Sequence, residues 1–328
     1  MTALELVCPA GTPAALKAAV NSGADVVYLG FRDATNARNF PGLNFSRSEL
    51  EQGLAYAHDK GCKIYLAINT FPKAGDPGPW HQAVDDGASL GVDAVILADI
   101  GLLDYATRKH PDLRRHLSVQ ASASNPEAIR FYQDAFDVKR VVLPRVLSVA
   151  EIAALNKEIA VETEIFVFGG LCVMAEGRCA LSSFATGQSP NTNGVCSPAC
   201  DVRYEEEEDG RMVSRLGGFT INAFAPGEPA GYPTLCKGRF VANGKASYLF
   251  EDPVSLNAAS ILPELAAAGV TGLKIEGRQR GKAYITEVVT SFRQAVDSMG
   301  DGAVIETDLS KVTEGQSKTA GAYQKTWR

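Results

Sequence analysis

Histidine is scarce in this sequence, and its scarcity disfavours several kinds of catalytic site. The 328 residues contain four histidines, and none lies after His116. No two of them have the spacing of a zinc-peptidase pair on one helix, and no serine or cysteine has a histidine plausibly placed beside it, so hydrolysis is disfavoured. We interpret His58, His110 and His116 as surface or packing residues, the last two in a connection between a helix and a strand.

A long apolar run and a leader are also lacking. No run approaches the roughly 20 apolar residues that a membrane-spanning helix needs, and the first residues lack the basic start and cleavage site of a signal peptide. We therefore expect a cytoplasmic protein without a transmembrane segment. In a reducing compartment the seven cysteines are not expected to form disulfides, so a cluster of them indicates a metal or a chemical role. The net charge of −6 argues mildly against nucleic acid, and no nucleic-acid partner is expected.

Short apolar segments alternate with capped helical segments through the first half of the chain. Ser46 with Glu49 and Ser148 with Glu151 have capping-box spacing, which marks two helix starts. No glycine-rich phosphate-binding motif follows the first strand, which disfavours an open doubly wound sheet, and eight strands is the number of a closed barrel. The sequence therefore predicts an α/β fold, a (β/α)8 TIM-like barrel. Its strands are predicted at residues 4–8, 25–31, 63–70, 94–99, 117–122, 140–145, 164–169 and 272–277.

The seventh and eighth predicted strands are separated by a long insertion. Within it, Asp209–Gly210 and Asn243–Gly244 are turn dipeptides that predict two hairpins. The predicted organisation is residues 1–170 for the first seven βα units, 171–270 for the cysteine-rich insertion, 271–300 for the closing strand and helix, and 301–328 for a C-terminal tail.

Five of the seven cysteines lie in the predicted insertion. Cys172, Cys179, Cys196 and Cys236 are separated by six, sixteen and thirty-nine residues, and Cys200 is a fifth candidate. Structural zinc sites usually take thiols in close pairs, whereas a bulkier iron-sulfur cubane accepts ligands from separate loops. The spacing favours a cluster and leaves zinc as the alternative. A mixed Cys/His site is excluded because the insertion has no histidine.

Polar side chains follow most of the predicted strands. The carboxyl ends of barrel strands meet at one face, where the chemistry of such folds gathers, so we expect these side chains and the first thiol at one mouth. The arginines among them suit a dicarboxylate, because a guanidinium binds a carboxylate through two parallel hydrogen bonds; structural ion pairs are the alternative. The sequence assigns no catalytic residue. The candidate substrate-binding residues are Asn36, Arg38, Asn69, Gln120, Arg145, Glu276 and Arg278.

The segment EIFVFGGLCVMAEGRCALS, residues 164–182, resembles the signature of the collagenase-like peptidase family. It departs at Gly170, where the family has serine or alanine, a change that keeps the position small. Further stretches, among them DATNARNFPGLNF, GYPTLCKGR and KIEGRQR, resemble the UbiU-type branch of that family, which acts in oxygen-independent ubiquinone biosynthesis. The resemblance runs from residue 4 to about residue 295.

The resemblance implies a [4Fe-4S] cluster held by Cys172, Cys179, Cys196 and Cys236, with Cys200 outside the set. It implies an enzyme subunit that hydroxylates the aromatic ring of ubiquinone precursors without molecular oxygen, with prephenate as hydroxyl donor. The implied partner is a UbiV-type paralogous subunit in a heterodimer, and a quinone-precursor carrier protein is a further candidate. Because some relatives in the family modify RNA, an RNA-nucleobase hydroxylation factor is the alternative; a peptidase or a structural zinc protein is less favoured.

Overall fold

Eight parallel strands close into a barrel, as the sequence predicts. In the computed structural model each of the second to seventh strands pairs with its predecessor, and the last strand pairs with both the seventh and the first, so the barrel has no open edge. The residues described are 4–172, 174, 176–190, 196–301, 308–313 and 318–324, with 300 and 301 described by their backbone alone. The barrel strands are β1 (Glu5–Pro9), β2 (Val26–Leu29), β3 (Lys63–Ile68), β4 (Ala94–Leu97), β5 (Arg115–Leu117), β6 (Val138–Val142), β7 (Glu162–Gly170) and β14 (Gly272–Ile275).

The helices begin where the sequence predicts their caps. The hydroxyls of Ser46 and Ser148 accept hydrogen bonds from the backbone N–H groups of Glu49 and Glu151, whose carboxylates accept from the serine N–H groups in return. Both predicted capping boxes are confirmed. The helices are α1 (Pro13–Asn21), α2 (Arg47–Asp59), α3 (Gly78–Leu90), α4 (Ile100–Lys109), α5 (Pro126–Phe136), α6 (Val149–Asn156), α7 (Leu181–Thr186), α8 (Leu262–Ala267) and α9 (Lys282–Asp297).

The fifth strand is the element that the sequence pattern misplaces. The pattern predicts a strand at residues 117–122, which is wrong: β5 is Arg115–Leu117, and Val119–Ala121 forms a short 3₁₀ turn. The segment turns because the Ser118 hydroxyl accepts a hydrogen bond from the N–H of Gln120 at 3.3 Å. The polar residues Arg115 and His116 conceal β5 in the sequence. The guanidinium of its first residue is nevertheless buried, because backbone carbonyl oxygens accept its hydrogen bonds.

The position of β5 also changes the setting of His116. It lies in a strand rather than in a connection, and its side chain is fully buried inside the barrel. Its ring meets the Tyr65 ring edge-on, with the ring centroids 4.6 Å apart. Burial, together with the nearby cations Arg140 and Arg114, holds the pKa of His116 well below its ordinary value. The imidazole is therefore a neutral packing group.

The insertion after β7 carries small antiparallel sheets. Both predicted hairpins are confirmed, and Gly210, Asn243 and Gly244 in their turns have φ values of +79°, +52° and +76°. One sheet has three strands and the other has two. Their strands are β8 (Val202–Glu206), β9 (Met212–Leu216) and β10 (Phe219–Phe224) in the first, and β11 (Arg239–Ala242) and β12 (Lys245–Tyr248) in the second.

Two short strands extend the barrel sheet beside β7. β13 (Ser255–Asn257) runs antiparallel to the end of β7, and β15 (Lys318–Thr319) pairs with β13. The buried Tyr323 hydroxyl then donates to the carbonyl oxygen of Phe166 at 2.6 Å, so the described end of the chain packs on the barrel. Across the described ranges, no helix is both long enough and apolar enough to cross a membrane.

Candidate metal centre and barrel pocket

A pocket with a cavity volume of about 140 Å³ opens at the carboxyl ends of the barrel strands. Its inner wall is apolar and aromatic, and its rim is cationic. Six of the seven candidate substrate-binding residues line it, and the seventh, Asn36, lies directly behind the rim. The lining candidates are Arg38, Asn69, Gln120, Arg145, Glu276 and Arg278, and the inner wall includes Tyr28, Ala67, Ile96, Val142 and Phe166.

Glu276 joins two of the rim arginines. Its carboxylate accepts hydrogen bonds from Nη2 of Arg38 at 3.1 Å and from Nη2 of Arg145 at 2.6 Å. Arg145 also pairs with the buried carboxylate of Glu176 and lies 3.6 Å above the Phe166 ring centroid. Burial acts to raise the pKa of Glu276, but the charges of Arg145 and Arg38 outweigh it and hold that pKa below its ordinary value. Arg38 and Arg145 therefore form ion pairs within the protein, the alternative to substrate binding.

Arg278 stands in a different environment. Its Nη1 donates to Oδ1 of Asn36 at 2.8 Å, and its guanidinium carbon lies 5.6 Å from the Tyr28 ring centroid. No carboxylate in the described part of the chain forms an ion pair with it, although its side chain is buried. Burial lowers the pKa of Arg278 to about 10, and the nearby charge of Arg38 acts in the same direction. This guanidinium at the pocket wall can therefore accept an anionic ligand.

Of the three candidates with amide side chains, two hold a loop in place and one has an acceptor atom that is free within the described ranges. Oδ1 of Asn69 accepts from the N–H of Ala37 at 3.0 Å, and Nδ2 of Asn36 donates to the carbonyl of Phe31 at 2.6 Å, so both hold the loop after β2. Gln120 is different: its buried Oε1 has no hydrogen-bond partner among the described residues. A buried acceptor without a donor is costly. Gln120 therefore offers the pocket a hydrogen-bond acceptor.

Four of the insertion's five thiols share one neighbourhood. Cys196 lies close enough to Cys172 and Cys236, and Cys179 to Cys196 and Cys236, for ionisation of one thiol to raise the pKa of the other. Burial raises the pKa of Cys172 to about 12 and that of Cys236 to about 11. Cys196 and Cys200 are both exposed, but Cys200 has a partner of its own, because its Sγ donates to the Asp201 carboxylate at 3.5 Å.

The donor set is consistent with an iron-sulfur cluster. Within the described ranges, no group of three or more His, Cys, Asp or Glu side chains could hold a metal ion. A zinc ion lies about 2.3 Å from each thiolate, which requires tightly gathered sulfurs. An iron-sulfur cubane is larger, and four thiols on separate loops without a histidine are its usual ligands. Cys172, Cys179, Cys196 and Cys236 would hold such a cluster.

The thiol neighbourhood adjoins the pocket. The charges of Arg38 and Glu276 act on Cys196, and those of Glu176 and Arg145 act on Cys172. Glu276 and both arginines line the pocket. A group bound by the thiols would therefore stand beside the cationic rim.

Two glycines, one at the end of β7 and one in the segment after it, permit this close arrangement. Gly177 has φ +81°, and a Cβ there would lie 2.1 Å from the carbonyl oxygen of Gln120. Gly169 has φ +127°, and a Cβ there would lie 2.6 Å from Cβ of Glu276. At Gly170 the nearest atom to an added Cβ is Oε2 of Glu276 at 3.5 Å, an ordinary contact. The position at which the signature allows serine or alanine is thus the one with room for a side chain.

Lys274 and Glu176 also line the pocket, and sequence reasoning missed both. Nζ of Lys274 lies 2.6 Å from the fully buried carboxylate of Glu164 and 3.8 Å from the Tyr28 ring centroid. A signal for Lys274 was present, since a charged residue on a buried barrel strand must point into the barrel when its apolar neighbours point outward. Glu176 lies within the signature segment, between two of its cysteines.

Known proteins resemble this chain over nearly its whole length. It is 31% identical to the tRNA hydroxylation protein P of Escherichia coli (strain K12), over 95% of this chain and 72% of that protein. It is 29% identical to the 23S rRNA 5-hydroxycytidine C2501 synthase of the same organism, over 96% of this chain and 42% of that one. A collagenase of Porphyromonas gingivalis is 27% identical over 94% of this chain and 69% of its own length. A family model described as Peptidase family U32 matches residues 11–325. The chain belongs to peptidase family U32.

Proposed function

We propose that this protein hydroxylates an unsaturated ring without molecular oxygen, using a [4Fe-4S] cluster held by Cys172, Cys179, Cys196 and Cys236. The observation that carries the proposal is the proximity of the thiols to the arginine-lined pocket, because Glu176, between Cys172 and Cys179 in the sequence, lines that pocket. When bound, the cluster would supply one-electron chemistry beside the pocket. The names of the two hydroxylation relatives support this class of reaction.

The pocket supports a flat, anionic ligand. Its aromatic and aliphatic inner wall favours burial of a ring, and few side chains there can hydrogen-bond to water. Arg278 offers a guanidinium to a carboxylate, and Gln120 offers an acceptor to a hydroxyl or amino group. Prephenate, the hydroxyl donor implied by the family resemblance, has both a ring and carboxylates. We propose that such a donor binds here with a carboxylate on Arg278.

The relatives support RNA as the ring substrate more directly than they support a quinone precursor. The named proteins act in tRNA and rRNA hydroxylation, and they are similar to nearly all of this chain. An RNA nucleobase would present its ring at the barrel mouth, where Gln120 could accept from an exocyclic amino group. This substrate is our first candidate.

A ubiquinone precursor is the second candidate, and a separate observation favours it. The net charge is −6, and the exposed run Glu205–Glu208 lies in the same insertion as the thiols. Such charge opposes a phosphate backbone, whereas an aromatic quinone precursor carries no phosphate chain. The motifs of the UbiU-type branch point the same way, and they imply a UbiV-type partner subunit. Peptidase activity is disfavoured, because no described residue that lines the pocket is a histidine.

One experiment separates these substrates. A deletion strain is grown without oxygen, and quinone intermediates and hydroxylated nucleosides are both quantified by mass spectrometry. Loss of hydroxylated nucleosides with normal quinone would support the RNA substrate, and accumulation of an unhydroxylated quinone precursor would support the second candidate. Complementation by the native gene, but not by the Cys236→Ala variant, would tie the effect to the thiols. Normal levels of both products would refute the proposed function.

A further inference from the structure

Lys274 is a buried amine at the pocket that the proposed function does not use. Its side chain is 7% exposed and lies on β14, between the inner wall of the pocket and the lower barrel interior. Its carboxylate partner, Glu164, is fully buried, and the distance between Nζ and Oε1 is 2.6 Å. A ligand that fills the pocket would therefore meet an amine with an adjacent proton acceptor.

The surroundings of Lys274 make its amine easier to deprotonate than that of an ordinary, exposed lysine. Burial lowers its pKa, and the nearby cations Arg278 and Arg140 act in the same direction against the opposing effect of Glu164. Desolvation and neighbouring cations are the two means by which proteins make a lysine nucleophilic. Geometry supports the same role, because the amine lies at the wall of a cavity rather than inside a closed core.

Lys274 and Arg278 share one aromatic ring. Nζ of Lys274 lies 3.8 Å and the guanidinium carbon of Arg278 5.6 Å from the Tyr28 ring centroid. An amine reacts with a carbonyl, and a free guanidinium binds a carboxylate. The two groups together match a ligand that carries a carbonyl next to a carboxylate.

We propose that the pocket binds a 2-oxo acid covalently, as an imine on Nζ of Lys274, with the carboxylate on Arg278. The ammonium group first gives one proton to the Glu164 carboxylate. The neutral amine then adds to the carbonyl carbon, and its two remaining hydrogens leave with the carbonyl oxygen as one water molecule. A C=N bond replaces the C=O bond, and nothing is oxidised or reduced. The inference rests on the proposed function in placing its ligand in the same pocket.

Borohydride trapping tests this imine. The full-length protein is incubated anaerobically with pyruvate, the simplest 2-oxo acid, and is then reduced with sodium borohydride, which converts an imine into a stable secondary amine. Intact mass and peptide mapping should show one reduced pyruvate, located on Lys274. Lys274→Arg, which keeps the charge but cannot form the adduct, should reduce labelling at least tenfold while circular dichroism shows a folded protein.

Lys63 supplies the matched control. Its Nζ also lies 2.6 Å from a glutamate, Glu5, but its side chain is 50% exposed and does not line the pocket. Lys63→Arg should therefore leave the labelling at Lys274 unchanged. The inference is overturned if native, iron-containing protein gains no adduct at Lys274, or if surface lysines label equally well. An adduct at Lys274 in a protein that fails to hydroxylate either ring substrate would support the imine and count against the proposed function alone.

Discussion

Both ends of the barrel interior contain a buried arginine, but among the described residues only one of the two arginines is paired with carboxylates. Toward the amino ends of the strands, Arg140 contacts three carboxylates, those of Glu5, Glu162 and Glu164. At the mouth, Arg278 is buried to a similar degree, 7% exposed against 3% for Arg140, yet no carboxylate in the described part of the chain pairs with it. Burial alone therefore does not separate a structural arginine from one that binds a ligand; the identity of its partner does.

The physical reason is the cost of removing charge from water. An arginine surrounded by carboxylates recovers much of its desolvation cost within the fold, and its loss leaves buried carboxylates uncompensated. An arginine that contacts only an amide oxygen and an aromatic face recovers less. The pKa values follow this division, because Glu164 and its neighbours raise the pKa of Arg140 above its ordinary value, against the effect of burial, whereas burial lowers that of Arg278. We expect the lower end to stabilise the barrel and the mouth to bind ligands.

The largest effect is expected at the mouth, on metal content. Cys236→Ala removes one of the four neighbouring thiols and should abolish most of the iron and sulfide in anaerobically purified protein, because a cubane needs all four ligands. Cys200→Ala should retain both, since the Cys200 thiol donates its hydrogen bond to Asp201. Chemical analysis and the visible spectrum measure the difference. Equal iron in the two variants, or one zinc per chain in the native protein, would contradict the assignment.

The next effect is expected at the lower end, on stability. Arg140→Met leaves the fully buried Glu164 with one partner fewer and should destabilise the fold by about 3–5 kcal/mol. Arg108→Met is the control, because the Arg108–Asp104 pair is exposed on both sides and its loss should cost far less stability. Urea unfolding followed by circular dichroism measures both. Similar losses in the two variants would remove the distinction between buried and exposed pairs.

Arg278→Met should weaken ligand binding while it changes the stability of the fold very little. Because no described carboxylate loses its partner, the free energy of unfolding should change by less than about 1 kcal/mol. Binding of a carboxylate ligand such as prephenate should weaken by about 1.5–3 kcal/mol, the usual value of a hydrogen bond to a charged group. Titration calorimetry measures the affinity, with the exposed Arg130→Gln as control. Undiminished affinity in the Arg278 variant would show that the mouth does not bind anions through this residue.

The sequence predicts the barrel and its mouth more fully than the pairing of its charged side chains. Capped helices and apolar strands depend on local signals, such as Ser46 three residues before Glu49. The pattern locates them except at β5, where Arg115 and His116 conceal a strand. Which arginine meets a carboxylate depends on contacts between residues far apart in sequence. Arg145 and Glu276, for example, are 131 positions apart. No local sequence pattern distinguishes Arg145, which pairs with carboxylates, from Arg278, which pairs with none that the structure describes. The sequence therefore predicts the same substrate-binding role for both.

The smallest expected effect is a pair of opposite pH dependences. Lys63 and Arg140 outweigh burial and hold the pKa of Glu5 below its ordinary value of 4.5, so its ionised form contributes stability above that pH, and this is lost as the pH falls through the lower folded value. Burial raises the pKa of Glu176 despite Arg145, so its ionised form costs stability at neutral pH, and acidification toward 4.5 relieves that cost.

Glutamine substitutions isolate the two contributions. Glu5→Gln should destabilise the protein at pH 7, with the deficit shrinking as the pH falls below about 4.5, because the native carboxylate then becomes neutral as well. Glu176→Gln should leave stability at pH 7 unchanged or slightly higher, and its difference from the native protein should vanish on acidification. Thermal unfolding from pH 7 to about pH 3 measures both curves, because the pKa of folded Glu5 lies below 4.5. The same sign for the two variants at pH 7 would mean that the mouth carboxylate is as well compensated as the lower one, and the contrast between the two ends would then rest on Arg278 alone.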